Sequence, residues 1–156
     1  MLYAILKLIH VIAIVFWVGG MAFAHWCLRP AAAELEPALR LRLMHGALKR
    51  FFGGVTVAAG LVLVTGLWMI GRVAKETVQA GLSFNMPLGW TVMAVTGVLM
   101  VAIFGHIRFA LFRRLSRAVE AADATAGAAA LASIRTWVSI NLGLGVATVA
   151  AALLLV

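Results

Sequence analysis

Four histidines, His10, His25, His45 and His106, stand in or beside long apolar runs of a 156-residue chain that carries only five acidic residues. Imidazole nitrogen ligates transition metals, haem iron included, and the thioethers of Met69, Met86, Met93 and Met100 are soft donors of the kind that select Cu(I). His10 is the most telling of these groups. A charged side chain at the centre of a lipid-spanning segment costs roughly 2.5 kcal/mol or more, so an ionisable residue there marks a functional site.

Other chemistries lack their residues. There is no pair of carboxylates placed for acid-base work, no Ser-His-Asp arrangement, no phosphate loop and no HExxH, which argues against hydrolase and nucleotide chemistry. Cys27 is the single cysteine, so neither an intrachain disulfide nor a cysteine-pair metal motif can form.

The elements that must position the histidines follow from composition. The chain is 65% hydrophobic and 12% charged, with a mean hydropathy of +1.10, more apolar surface than one soluble domain of this length can bury. An integral membrane protein is expected. Four runs, about Leu2–Leu28, Leu48–Ile70, Pro87–Phe109 and Ala128–Val156, are long enough to cross a hydrocarbon core, which takes roughly 20 helical residues. They lack the alternation of barrel strands, so the expected fold is all-α: a four-helix antiparallel membrane bundle forming one domain over residues 1–156. Pro37 can open the second helix before the membrane, and FALFRRLSRAVE carries the third beyond it. The expected helices are thus about 2–28, 40–71, 87–120 and 128–156, the second and third extending into the cytoplasm.

Ten basic residues fall in the first and third connections and three, Lys7, Arg72 and Lys75, on the other side. By the positive-inside rule both termini face outward, which in a bacterial inner membrane means the periplasm. The first segment has no cleavable-signal pattern and is expected to be retained. The net charge of +8 sits at the ends of apolar runs, where it meets lipid headgroups; nucleic acid is not an expected partner.

With a rise of about 1.5 Å per residue, His10 falls in the outer third, level with Met93 and Met69. His25, His45 and His106 fall near the inner ends as a second layer. The helical period puts His10 on one stripe with Ile14, Trp17, Met21 and Ala24, and His106 with Ala102, Leu99 and Val95. Gly46, Gly53 and Gly60 recur every seven residues and form a ridge of small residues that suits a partner helix, a flat cofactor or a second copy of the chain. Met86, Met93 and Met100 repeat at the same interval, as a Cu(I) path or as adaptable packing. Asn141 is a polar residue in the last run, suited to a hydrogen bond across helices.

The segment LKLIHVIAIVFWVGGMAF, in which His10 is followed by Trp17 and the pair Gly19-Gly20, resembles the first helix shared by CopD-type copper proteins and HemJ-type protoporphyrinogen oxidases. VTGLWMI, PLGWTVMAV and GHIRFALFRRL continue the resemblance along most of the chain. It implies a four-helix membrane unit in which His10 is functional, as a ligand of haem b in the HemJ-type branch. That branch has a lysine where this chain has Ala94, and an acidic residue near the start of the second helix where His45 stands.

The leading expectation is therefore a haem b-binding inner-membrane protein of CopD/HemJ type with a redox or electron-transfer role. Its iron ligand would come from His10 or His106, with His25 or His45 as partner in the inner layer and Met93 or Met69 in the outer. Gly53 and Gly60 would form the slot, Arg108 or Lys7 would meet the propionates, and a quinone or another small redox carrier would be the partner. Whether it is an enzyme, such as a membrane oxidoreductase, stays open. The alternative from the transport class is Cu(I) passage through His10 and the methionines. A third is a structural or assembly subunit without a cofactor.

Overall fold

A computed structural model describes residues 1–155. Four apolar rods make up the chain: α1 (Leu2–Ala33), α2 (Pro37–Gln79), α3 (Leu88–Glu120) and α4 (Ala124–Leu154). All four are long and apolar enough to cross a membrane, and no strand occurs among the described residues. The protein is an all-α membrane bundle. Helices are what such sequences must form in lipid, because no water is present to satisfy an unpaired backbone group.

Two rods contain a widened turn. In α1 the regular helix Leu2–Phe23 passes through a π turn at Ala24–Leu28 and resumes over Arg29–Ala33; in α3 a π turn at Ile107–Leu111 separates Leu88–His106 from Phe112–Glu120. Pro30 accounts for the first. It has no N–H, and its ring crowds the carbonyl one turn earlier, which a widened turn relieves.

The helix ends differ from the sequence expectation, each for a local reason. The first helix runs past residue 28 to Ala33, and Pro37 restarts the chain after Glu34–Glu36, so the connection is three residues long. The second runs past residue 71 to Gln79, with Arg72 Nε donating to Glu76 Oε1 at 2.7 Å on its exposed end. It stops at Gly81, whose φ of 78° is the left-handed conformation glycine adopts freely; Leu82 N–H returns to Thr77 O and Gly81 N–H to Val78 O. The fourth begins at Ala124 rather than 128 because the Asp123 carboxylate accepts from the Ala126 N–H at 2.9 Å and caps it. At 43 residues, α2 spans about 65 Å, roughly twice the hydrocarbon core, and so projects beyond it.

The helices pack as two antiparallel hairpins, α1 against α2 and α3 against α4, set side by side. Aromatic rings join the hairpins. Phe52 of α2 is buried between Phe51, Phe104 and Phe112, with ring centroids 5.8, 5.9 and 5.5 Å away, and Trp17 of α1 meets Phe104 edge-on at 5.8 Å. Large apolar side chains such as Val57, Val64, Leu67 and Val95 are left exposed, as a lipid-facing surface requires.

Two glycines set the α1–α2 separation. The Phe51 ring of α2 occupies the space where a Gly20 side chain would stand, and Phe16 of α1 fills that beside Gly54. Each helix thus receives a ring of the other, 6.1 Å apart. Gly54→Val would drive a side chain into Phe16, and overpacking of this kind costs about 1–3 kcal/mol. Unfolding of the detergent-solubilised variant should show that loss, with Phe16→Ala in the same chain restoring most of it. Failure of the second change to rescue the first would mean that the two residues do not meet.

Candidate functional site

Each interface between neighbouring helices holds one histidine. His10 lies between α1 and α2, His25 between α1 and α4, His45 between α2 and α3, and His106 between α3 and α4. Equal depth is therefore not proximity.

His10 has the most defined surroundings. Its Nδ1 stands 2.8 Å from the Thr65 hydroxyl, and Thr65 is buried. The Thr65 hydroxyl also reaches the Leu61 carbonyl one turn back; donating there, its oxygen accepts from the ring. In that arrangement Nδ1 carries the proton and Nε2 keeps its lone pair. Gly66 makes room for the ring: a Cβ there would stand 3.2 Å from His10 Cε1. Metal-binding imidazoles are oriented in this way, by a fixed bond at one nitrogen that makes the other a better ligand.

Thr65 was not singled out by the sequence reading. The signal is a hydroxyl residue followed by glycine at the depth of His10, within VTGLWMI.

His25, His45 and His106 do not gather into one group. His45 Nε2 is 3.0 Å from Ser116 Oγ, which itself donates to the Phe112 carbonyl, and the His45 ring lies parallel to Phe112 with centroids 5.2 Å apart. His25 Nδ1 is 3.3 Å from Ser139 Oγ. His106 is exposed and meets Trp137 at 5.2 Å. Trp137 and Ser139 are two residues apart on α4, about 200° around a helix, so His25 and His106 flank α4 from opposite sides. Among the described residues no three of His, Cys, Asp and Glu are grouped as a metal site.

Arg108 lies over the rings of Phe109 and Phe112, at 5.9 and 5.3 Å, and Lys7 is exposed. Gly53 and Gly60 are exposed on α2, and a Cβ at either would meet nothing within 4 Å. Val18 of α1 and Met100 of α3 both meet Gly145 of α4 and so share a level. His10 lies eight residues before Val18 and Met93 seven before Met100, about 12 and 10.5 Å along the axis, which puts them at a similar level of the bundle. Met69 lies one turn beyond Thr65 on α2. Both thioethers are half-buried.

Among the described residues one buried side-chain polar atom has no partner. Asn141 is enclosed in α4; its Nδ2 donates to the Met100 carbonyl at 3.3 Å, while Oδ1 meets no donor.

A haem held between two histidines needs two rings facing one another. No interface supplies a second imidazole, and Gly53 and Gly60 look away from the neighbouring helices, so the residues of one chain do not fit such a site. A single d-block ion at His10 asks for less, and the α1–α2 interface holds one oriented ring nitrogen.

The family model described as copper resistance protein D, CopD, matches residues 45–155. The chain belongs to the CopD family. No curated protein and no solved structure matches it. The CopD match covers most of α2 and all of α3 and α4, including Thr65 and Gly66, and leaves α1 with His10 outside. His10 therefore stands on its geometry with Thr65.

Proposed function

We propose that this CopD-family protein handles copper within the membrane, taking Cu(I) at the α1–α2 interface on the open Nε2 of His10. The observation that carries the reading is the chain of hydrogen bonds from His10 through Thr65 to the Leu61 carbonyl, which supports one ring orientation and one tautomer. Met69, one turn from Thr65 on the same face of α2, would add a thioether. Neutral nitrogen and sulfur donors favour Cu(I) over Cu(II) or harder ions, and a single charge is the least costly to hold in lipid.

The class of function is tested on the purified protein by copper content after anaerobic loading, together with the absorbance spectrum. About one tightly held Cu(I) per chain and no Soret band is the expected result. A Soret band that shifts on dithionite reduction, with no copper retained, overturns the reading in favour of haem b and electron transfer.

Thr65 acts by positioning. Thr65→Val keeps the volume but removes the acceptor that orients the ring, and losses at such supporting groups run to about 10–100-fold in metal affinity. Competition with a Cu(I) chelator should show that weakening, with unfolding little changed. Thr65→Ser should restore affinity; equal affinity in wild type and Thr65→Val would remove the orienting role.

A further inference from the structure

At the end of the bundle opposite the His10 site, α1, α2 and α4 enclose a cleft of about 270 Å³. Its wall is apolar, with Ile134 and Val138 of α4 facing Leu48 of α2, all three buried. Three arginines line the same cleft, one from each helix: Arg29, Arg40 and Arg135. None is paired with a carboxylate, since the one ion pair among the described residues joins Arg72 and Glu76 at the far end of α2. Glu34 and Glu36 lie in the adjoining turn without bridging to any of them.

We infer that this cleft binds an anionic phospholipid, its phosphate on Arg29, Arg40 and Arg135 and one acyl chain against the apolar wall. Guanidinium groups bind phosphate in forked geometry, and three arginines reach this cleft from three helices with no carboxylate paired to any of them. Basic pockets between helix ends lie where lipid headgroups lie, which brings the ligand to the site at high local concentration. The one ring among the described lining residues, the His25 imidazole, is taken up by Ser139, and the apolar wall gives a free phosphate nothing to hold. The bound lipid ties α1 to α4, which the helical hairpins alone leave loosely joined. The inference is independent of the copper reading.

The experiment is native mass spectrometry and thermal unfolding of the full chain in detergent, with phosphatidylglycerol, phosphatidylcholine or inorganic phosphate added separately. Wild type should retain one phosphatidylglycerol and unfold at higher temperature with it, and respond to neither of the other two. Arg29→Gln with Arg135→Gln should lower lipid retention at least tenfold, and the single change Arg40→Gln serves if the double variant folds poorly. Arg113→Gln with Arg114→Gln, which removes the same charge from exposed positions outside the cleft, should leave retention unchanged. Equal retention of phosphatidylcholine, equal loss in the Arg113/Arg114 variant, or an equal response to inorganic phosphate would each overturn the inference, the last by making the cleft a simple anion site.

Discussion

Phe52→Ala should destabilise the bundle by about 3–5 kcal/mol, the usual cost of emptying a buried aromatic position. Phe52 is almost wholly enclosed and touches rings from both hairpins, Phe51 on its own helix and Phe104 and Phe112 on α3. Within a membrane the hydrophobic effect adds little between helices, because lipid is as apolar as a side chain; what holds them is close packing. A void at Phe52 forfeits those contacts on every side, and the neighbours cannot close it without parting Trp17 from Phe104. Val57→Ala, on the lipid-facing surface of α2, should change stability by less than about 0.5 kcal/mol, since lipid fills the space. Unfolding in mixed micelles checks both, and equal losses would mean that Phe52 is not the joint between the hairpins.

His10→Ala should abolish the tight Cu(I) equivalent, weakening binding by at least about 100-fold, or roughly 2.8 kcal/mol at 1.4 kcal/mol per tenfold. The effect exceeds that of Thr65→Val because the ligand itself is lost and no second imidazole shares the α1–α2 interface to replace it. His45→Ala and His25→Ala remove imidazoles of the other layer and should leave that equivalent in place. Their hydroxyl partners, Ser116 and Ser139, lie on α3 and α4. Chelator competition on the four proteins distinguishes the layers, and loss of the site in His25→Ala or His45→Ala, with His10→Ala unaffected, would move copper to the opposite end of the bundle.

The four helices were legible because run length against bilayer thickness is a one-dimensional problem. Their ends were less so, since Gly81, Asp123 and Pro37 act through turns and caps whose partners lie outside the apolar runs. Depth was legible too: His10 and Met93 share a level by counting residues from Val18 and Met100. What spacing does not carry is the angle at which each helix is turned toward its neighbours. The seven-residue ridge of Gly46, Gly53 and Gly60 is real as a stripe, but at Gly53 and Gly60 it is exposed, while the glycines that admit neighbours are Gly20, Gly54 and Gly66. The same missing angle led the three inner histidines to be grouped, although α4 stands between His25 and His106. Thr65 escaped notice because a threonine bonded to its own helix needs no partner in lipid, and only the fold shows that its oxygen also serves His10.

X-ray absorption at the copper K-edge of the Cu(I)-loaded protein tests the central claim most directly, because it reads the ligands of the metal itself. Wild type should show Cu(I) with both nitrogen and sulfur scatterers, and the nitrogen contribution should disappear in His10→Ala loaded to the same level. A spectrum unchanged by His10→Ala, or one with sulfur alone in the wild type, would contradict the assignment of His10 as the copper ligand.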